Sequence, residues 1–248
     1  MPEHSPKIKI YAHRGAKKYA PENTIPAFER ALEMGADGFE LDTMLSADGI
    51  PVVIHDRSLS RTTNGYGFVD QTTADELVKL DAGAWFSKEF QNVRIPVLEN
   101  VLELFGEQAE INIELKNFES PFNSLPLIVS ELVNKFGLCD KIIFSSFIPF
   151  NLIRIRRIIP EAKVALLLEP DFLGKWFSSL PLKKVSPDFI HPHYSLCTQA
   201  YISKQHKIGR KVNSWTINDE ETMKDMIRRG LDGIITDDPA LASVVRDE

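Results

Sequence analysis

Short apolar runs alternate with longer amphipathic stretches along most of the chain. Residues 7–12 form an apolar-rich run closed by His13 and Gly15, which predicts a strand ending in a polar loop. Phe28, Ala31 and Leu32 recur at helical spacing. Asn23 or Thr24 is placed to cap that helix, Pro26 is tolerable in its first turn, and Gly35 is placed to end it. Residues 38–45 then switch to a period of two. Phe39, Leu41 and Thr43 fall on one side, and Glu40, Asp42 and Met44 on the other. After the Asp48-Gly49 turn signal, 51–54 is a second apolar run that delivers His55.

Residues 57–93 break this rhythm. They are rich in Thr, Gly and Asp, carry the aromatic pair Trp85-Phe86, and read as an insertion over one mouth of the fold. The alternation resumes with predicted helices at 98–105, 125–136, 151–159, 172–180, 198–206, 219–229 and 239–246. Predicted strands fall between them at 110–116, 141–147, 163–169, 188–194, 211–218 and 233–237. Asn218 or Asp219 is placed to cap the helix from 219. About eight strand–helix alternations imply parallel βαβ units, and at this length they favour an α/β fold closed as a (β/α)8 barrel. No internal repeat or linker interrupts the series, so residues 1–248 read as one domain.

Composition narrows the function. Lys and Arg total 29 against 35 Asp and Glu, a formal charge of −6, which argues against a nucleic-acid partner. A small anionic ligand stays compatible, because a site can be locally positive in an acidic protein. Cys139 and Cys197 have no metal-like spacing and read as free thiols of a reducing compartment. The first residues, MPEHSPKIKIY, contain no apolar core of signal-peptide length, and no run approaches the ~20 apolar residues of a transmembrane helix. The expectation is a soluble, cytoplasmic protein.

A barrel builds its site at the C-terminal ends of its strands. The predicted strands carry His13 and Arg14, then Glu40 and Asp42, then Glu114 and Lys116, with His55 closing the run beside the second strand. Glu169, His191, His193, Ser214, Trp215, Asn218, Asp237 and Asp238 mark later strand ends. Buried strands seldom spend carboxylates, because an unpaired buried charge is costly. Glu40, Asp42 and Glu114 therefore call for a common counter-charge, and hard oxygen donors suit Mg²⁺ or Ca²⁺. Arg14 and Lys116 fit a phosphate at the same mouth, and His13 and His55 suit proton transfer near neutral pH. Asp56 is placed to orient His55 or a backbone amide. Glu169 and Asp237 stand between loop capping and support of the site, Trp215 between core and pocket wall, and His191 and His193 read as lying outside.

The block His13-Arg14-Gly15-Ala16, Pro21-Glu22-Asn23-Thr24, Gly35-Ala36-Asp37, Glu40-x-Asp42 and Pro51-Val52-Val53 with His55-Asp56 closely resembles the glycerophosphodiester phosphodiesterase family. Leu59 to Thr63 with Gly65 and Gly67, the run from Ile95 to Glu103, Glu114-Leu115-Lys116, Ser214 to Asn218 and Gly233 to Pro239 extend the match over nearly the whole chain. The resemblance implies a TIM barrel with a small subdomain inserted after the second strand. It implies metal-dependent hydrolysis of small-molecule glycerophosphodiesters to sn-glycerol 3-phosphate and an alcohol such as choline, ethanolamine or glycerol. By the same resemblance His13 and His55 serve as acid and base, and Glu40, Asp42 and Glu114 hold Mg²⁺ or Ca²⁺. Arg14 and Lys116 contact phosphate, Glu22 supports the substrate site, and Trp215 lines it. A lysophospholipase D-type activity on lysophospholipids is the alternative, with Trp85, Phe86, Trp176 and Phe177 as candidates for its apolar groove. A non-catalytic receptor for phosphorylated polyols would need a missing histidine or ligand, and none is missing.

Overall fold

Strand β1 (Lys9–His13) pairs in parallel with β2 (Gly38–Leu45) on one side and with β9 (Gly233–Thr236) on the other. The ring between them runs β4 (Glu110–Leu115), β5 (Ile142–Ser146), β6 (Lys163–Leu168), β7 (Phe189–Pro192) and β8 (Lys211–Ser214), all parallel. Eight parallel strands therefore close on themselves in this computed structural model, which describes residues 7–170 and 187–248. A short strand, β3 (Pro51–Val53), lies antiparallel on β2 outside the ring. The architecture is a TIM barrel, as the alternation of periods predicts. The predicted helix at 172–180, and Trp176 and Phe177 within it, lie outside the described residues.

The period-two pattern sorts each strand into two faces. Phe39, Leu41, Ile111, Ile113, Phe144 and Leu166 point outward into a core shared with helices α1 (Ile25–Glu33), α3 (Leu98–Phe105), α4 (Leu125–Phe136) and α5 (Pro149–Ile158). There Phe28 stacks on Phe39 with ring centroids 4.2 Å apart, and Phe105 closes edge-on against both. Ile10, Val212 and Ile234 do the same beneath α6 (Gln199–Lys207), α7 (Glu220–Arg228) and α8 (Pro239–Asp247). The opposite face turns into the barrel, where Tyr11, Ile143, Ala165, Phe189 and Ile235 form an apolar filling. Polar residues on this inner face sit above or within that filling, and they are the ones the site uses.

Local capping differs from expectation at one end. Thr24 occupies the N-cap of α1 without a side-chain cap bond; its hydroxyl donates to the Pro21 carbonyl at 2.6 Å. Asn23, with φ +58°, turns its amide to Asp42 instead. Of the two candidates at the start of α7 it is Asp219 that caps, accepting from the Thr222 N–H at 2.9 Å. The polar side chains left uncommitted by the helix ends are thus drawn into the site.

The insertion after β2 holds two 3₁₀ turns (Val69–Gln71 and Lys88–Phe90) and a short helix α2 (Ala74–Leu77). Leu59, Val69, Leu77, Ala82 and Ile95 make a small core of their own against Met44, Val52 and Ile54. It therefore packs on the β2–β3 edge and reaches the barrel mouth by its polar side.

Candidate active site

Register brings the acidic residues together. His13 is opposite Glu40, and Asp42 is opposite Glu114, so neighbouring inner-face positions of β1, β2 and β4 meet at the strand C-termini. Glu40, Asp42 and Glu114 are all buried and offer oxygens within 4.8 Å of one another. Asp42 Oδ1 and Glu114 Oε1 have no hydrogen-bond donor, although the Lys116 ammonium stands 3.7 and 3.2 Å away. Buried carboxylate oxygens without donors are costly unless a cation satisfies them, and three hard oxygen donors fit Mg²⁺ or Ca²⁺ better than zinc. The residues present therefore fit a divalent cation.

Two cations frame the cluster. Arg14 adopts φ +56°, which aims its backbone N–H at Glu40 Oε2 (3.0 Å) and brings its guanidinium Nε to 3.2 Å from Asp42. Its Nη1 donates to Glu22 Oε1 at 2.9 Å. Gly15 follows at φ +80°, and a Cβ there would lie 2.7 Å from the Ala27 backbone, so the turn requires glycine. Asn23 donates to Asp42 Oδ2 at 2.9 Å and accepts the Asp42 N–H at 3.2 Å. That double contact fixes the carboxylate's rotation.

Each histidine leans on a carboxylate. His13 Nδ1 lies 2.6 Å from Asp237 Oδ1, and His55 Nδ1 lies 2.5 Å from Asp56 Oδ1. A carboxylate accepts, so both Nδ1 atoms carry hydrogen and both Nε2 atoms are left as proton acceptors. The Lys116 ammonium donates to His55 Nε2 at 3.1 Å, which fits that tautomer. Asp237 is held in turn by Asn218, whose amide donates to Oδ2 at 3.0 Å and whose carbonyl accepts the Asp237 N–H at 2.9 Å.

The electrostatics follow from burial and crowding. Burial, reinforced by the Asp42 and Glu114 charges, pushes Glu40 well above the usual carboxylate range. Burial and the Asp42 charge carry Glu114 to about 7 against the pull of Lys116. Burial would raise Asp42 too, but Arg14, Lys116 and His55 hold it well below its ordinary value. Burial lowers both His13 and His55, with the Arg14 charge acting in the same direction. These imidazoles are neutral at pH 7, with a carboxylate behind each to stabilise a transient positive charge.

A cavity of about 230 Å³ opens over this floor. His13, Arg14, Glu40, His55, Glu114, Lys116 and Trp215 line it, so the structure gathers these predicted residues at one mouth. Asp42 lies buried beneath, and Glu22 stands behind Arg14, bonded to it. His191 is fully buried under the cavity and His193 packs on Trp215; neither lines it. Trp215 is held by its indole N–H donating to the His191 carbonyl at 2.8 Å.

Sequence reasoning assigned no site role to Asn112, Phe147, Leu167 and Ile235, which also line the cavity; it placed Asn23 as a helix cap and had Arg61 only within a family motif. Inner-face parity with Glu114 points to Asn112, and both ends of its buried amide lack partners. Phe147 closes the predicted strand 141–147 on the inner-face parity of Ile143, and Arg61 lies in the Leu59–Thr63 motif, but neither signal says what the side chain touches. Glu169, undecided from sequence, lies on the cavity wall, and Asp237 finds His13.

Known proteins place the chain. A glycerophosphodiester phosphodiesterase of Caldanaerobacter subterraneus subsp. tengcongensis is 40% identical over 242 residues, covering 97% of this chain and 98% of the relative. One from Bacillus altitudinis is 38% identical over 97% of this chain and 98% of its own. Among solved structures, an Oleispira antarctica phosphodiesterase in complex with the product sn-glycerol-3-phosphate superimposes with TM-score 0.87 at 32% identity, covering 97% of each chain. A glycerophosphodiester phosphodiesterase from Agrobacterium tumefaciens gives 0.84 at 32% identity over 96% of this chain and 99% of its own. The model of the glycerophosphoryl diester phosphodiesterase family matches residues 13–241, and the chain belongs to that family of enzymes.

Proposed function

We propose that the chain hydrolyses small glycerophosphodiesters, such as glycerophosphocholine and glycerophosphoethanolamine, to sn-glycerol 3-phosphate and the free alcohol. The observation that carries this reading is the pair of His–Asp dyads at a cavity lined by Glu40 and Glu114, with Asp42 buried beneath them. The product bound to the Oleispira relative has the chemistry this cavity suits: one phosphate and a short polyol. Residues 1–248 act as one catalytic domain into which 57–93 is folded, and the free thiols Cys139 and Cys197 suit a cytoplasmic enzyme.

Glu40, Asp42 and Glu114 would hold the divalent cation, Mg²⁺ or Ca²⁺. When bound, that cation supplies Lewis-acid neutralisation of phosphoryl charge. Arg14 and Lys116 grip the non-bridging oxygens, the guanidinium with its fork and the ammonium as a point charge. One imidazole Nε2 removes the proton of the attacking oxygen as the new P–O bond forms; that oxygen is water, or else the glycerol 2-hydroxyl, in which case a cyclic phosphate results and water opens it in a second step with the two imidazoles exchanging roles. The other imidazole, which takes up a proton from solvent before the step and is stabilised as a cation by the carboxylate on its Nδ1, gives that proton to the leaving alkoxide as the old P–O bond breaks. Asp56 and Asp237 hold the tautomers through both transfers. Trp215 walls the pocket.

Turnover of glycerophosphocholine and glycerophosphoethanolamine with and without EDTA tests the reading. Activity is expected to vanish on chelation and return with Mg²⁺ or Ca²⁺. General acid–base catalysis supplies about 10²–10⁴-fold, so His13→Ala and His55→Ala should each lose on that order. Metal-independent turnover, or full activity in either variant, would overturn it.

One observation favours the lysophospholipase D alternative. Trp215 meets Phe147, which meets Phe118, and Phe118 is exposed. An apolar track leaving a phosphodiester site suits an alkyl chain. Comparing rates on glycerophosphocholine and lysophosphatidylcholine separates the two.

A further inference from the structure

Arg61 belongs to the insertion, and the phosphodiester chemistry above uses no atom of it. Its guanidinium nevertheless joins both halves of the site. Nη1 and Nη2 donate to the two oxygens of Glu22 at 3.0 and 2.7 Å, a forked pair, while Nε donates to Asp56 Oδ2. The other Asp56 oxygen receives the His55 Nδ1–H at 2.5 Å. Glu22 Oε1 also accepts from Arg14 Nη1 at 2.9 Å, and Arg14 Nε faces Asp42 at 3.2 Å. The contacts therefore run without a gap from His55 through Asp56, Arg61, Glu22 and Arg14 to Asp42.

The geometry needs a planar fork. One carboxylate is met by two parallel N–H donors and the other from the Nε edge of the same plane, a spread that a guanidinium offers and the single nitrogen of an ammonium does not. The Glu22 side chain is 3% exposed, so its position is fixed by these donors rather than by water. The segment presenting Arg61 is built locally. Leu59 is buried in the small core of the insertion, the Thr63 hydroxyl donates to the Leu59 carbonyl at 2.6 Å, and the Gly65 N–H donates to Thr63 at 2.9 Å. Arg61 is thus anchored on the insertion side and reaches the barrel side by its head group alone.

We propose that Arg61 is a positioning residue that latches the insertion onto the barrel mouth and, through Asp56 and Glu22, sets the orientation of His55 and Arg14. Docking of 57–93 is then a condition for phosphodiester cleavage rather than a decoration of the barrel. The kinetic part of this inference rests on the glycerophosphodiesterase reading; the structural part does not.

The test uses the full chain loaded with its divalent cation. With glycerophosphocholine as substrate, Arg61→Ala is expected to lower kcat about 10- to 100-fold, the scale of a small misplacement of reacting groups. Arg61→Lys should recover little. The Arg61 side chain is 44% exposed, so free guanidinium at sub-denaturing concentration can occupy the gap and should restore Arg61→Ala but not Asp56→Ala. The losses of Arg61→Ala and Asp56→Ala should be non-additive. Undiminished kcat in Arg61→Ala, additive losses, or failure of guanidinium rescue would overturn the proposal. Proton NMR of the imidazole Nδ1–H groups supplies a readout free of substrate. The His55 signal should vanish in Arg61→Ala while that of His13, held by Asp237, persists. Retention of both signals sinks the latch. A wild-type chain that cleaves no glycerophosphodiester yet shows this NMR pattern would sink the substrate assignment and leave the latch standing.

Discussion

Asp42 meets three demands with two oxygens. Oδ2 accepts from Asn23 and faces Arg14, while Oδ1 is left with only the Lys116 ammonium at 3.7 Å. A carboxylate this depressed stays charged, whereas its neighbours Glu40 and Glu114 are pushed toward protonation. The fully ionised cluster is therefore costly on its own, and a cation bound there would stabilise the fold by mass action. Added Mg²⁺ or Ca²⁺ should raise the thermal midpoint of the wild-type chain and do much less for Asp42→Asn, read by scanning calorimetry. An equal rise in both would show the ion binds elsewhere. His191 gives a second prediction at this scale. Its imidazole is fully buried, with Asn213 within 3.2 Å of Nε2, and burial lowers it to about 3. A depressed histidine binds protons in the unfolded chain first. Stability is thus complete above the unfolded value near 6.5 and drains as pH falls toward 3, by at most about 1.4 kcal/mol per pH unit. His191→Gln removes that contribution. Urea midpoints at pH 7, 6 and 5 should fall less steeply for the variant than for the wild type; parallel curves would contradict the burial argument.

Strand β2 shows what can and cannot be read before folding. Its period of two places Glu40 and Asp42 on one face directly, and the same rule links Glu114 with Asn112 on β4. The rule that a barrel's site lies at its strand ends likewise brings out His13, His55 and Lys116, which line the cavity. The supporting residues were not legible, for a physical reason. Asn23 looks like a helix cap, and only the turn at φ +58° sends it to Asp42 instead. Arg61 sits among polar insertion residues, and its meeting with Glu22, 39 residues away, depends on how the insertion packs. Phe147 shares inner-face parity with Ile143, but its meeting with Trp215, 68 positions on, depends on the ring bringing the ends of β5 and β8 to one mouth. Local periodicity reports faces; it does not report which loops fold back over them. Close approach of elements is equally invisible and equally testable. A Cβ on Gly38 would lie 1.8 Å from the Glu110 carbonyl, so β2 and β4 can pair in this register only with glycine there. Gly38→Ala must push β2 and β4 apart at the start of the ladder that juxtaposes Asp42 and Glu114. It should cost about 1–3 kcal/mol of stability, the usual price of overpacking, and weaken cation binding in the same protein, measured by calorimetric titration. Lower stability with unchanged cation affinity would uncouple the two.

At the scale of the molecule, charge balance decides how an anionic diester reaches the site. Glu22, Glu40, Asp42, Asp56, Glu114 and Asp237 face Arg14, Lys17, Arg61 and Lys116 around the mouth. With neutral histidines the acids outnumber the cations by two in formal terms, and a divalent ion brings the site to neutrality. The loaded mouth therefore has little long-range attraction of its own, while the chain as a whole carries −6. Affinity for phosphate comes from contacts at 3–4 Å, and approach is governed by the field of the whole surface. That field reaches about 30 Å at 0.01 M salt and about 8 Å at 0.15 M. Glycerophosphocholine is zwitterionic and indifferent to it; glycerophosphoglycerol bears a net negative charge and is repelled. The ratio of kcat/KM for glycerophosphoglycerol over glycerophosphocholine should therefore rise as salt is raised across that range. A ratio that falls with salt would mean that the mouth projects a positive field strong enough to reverse the sign of the surface, and that Arg14, Lys17 and Lys116 act on the substrate well before contact.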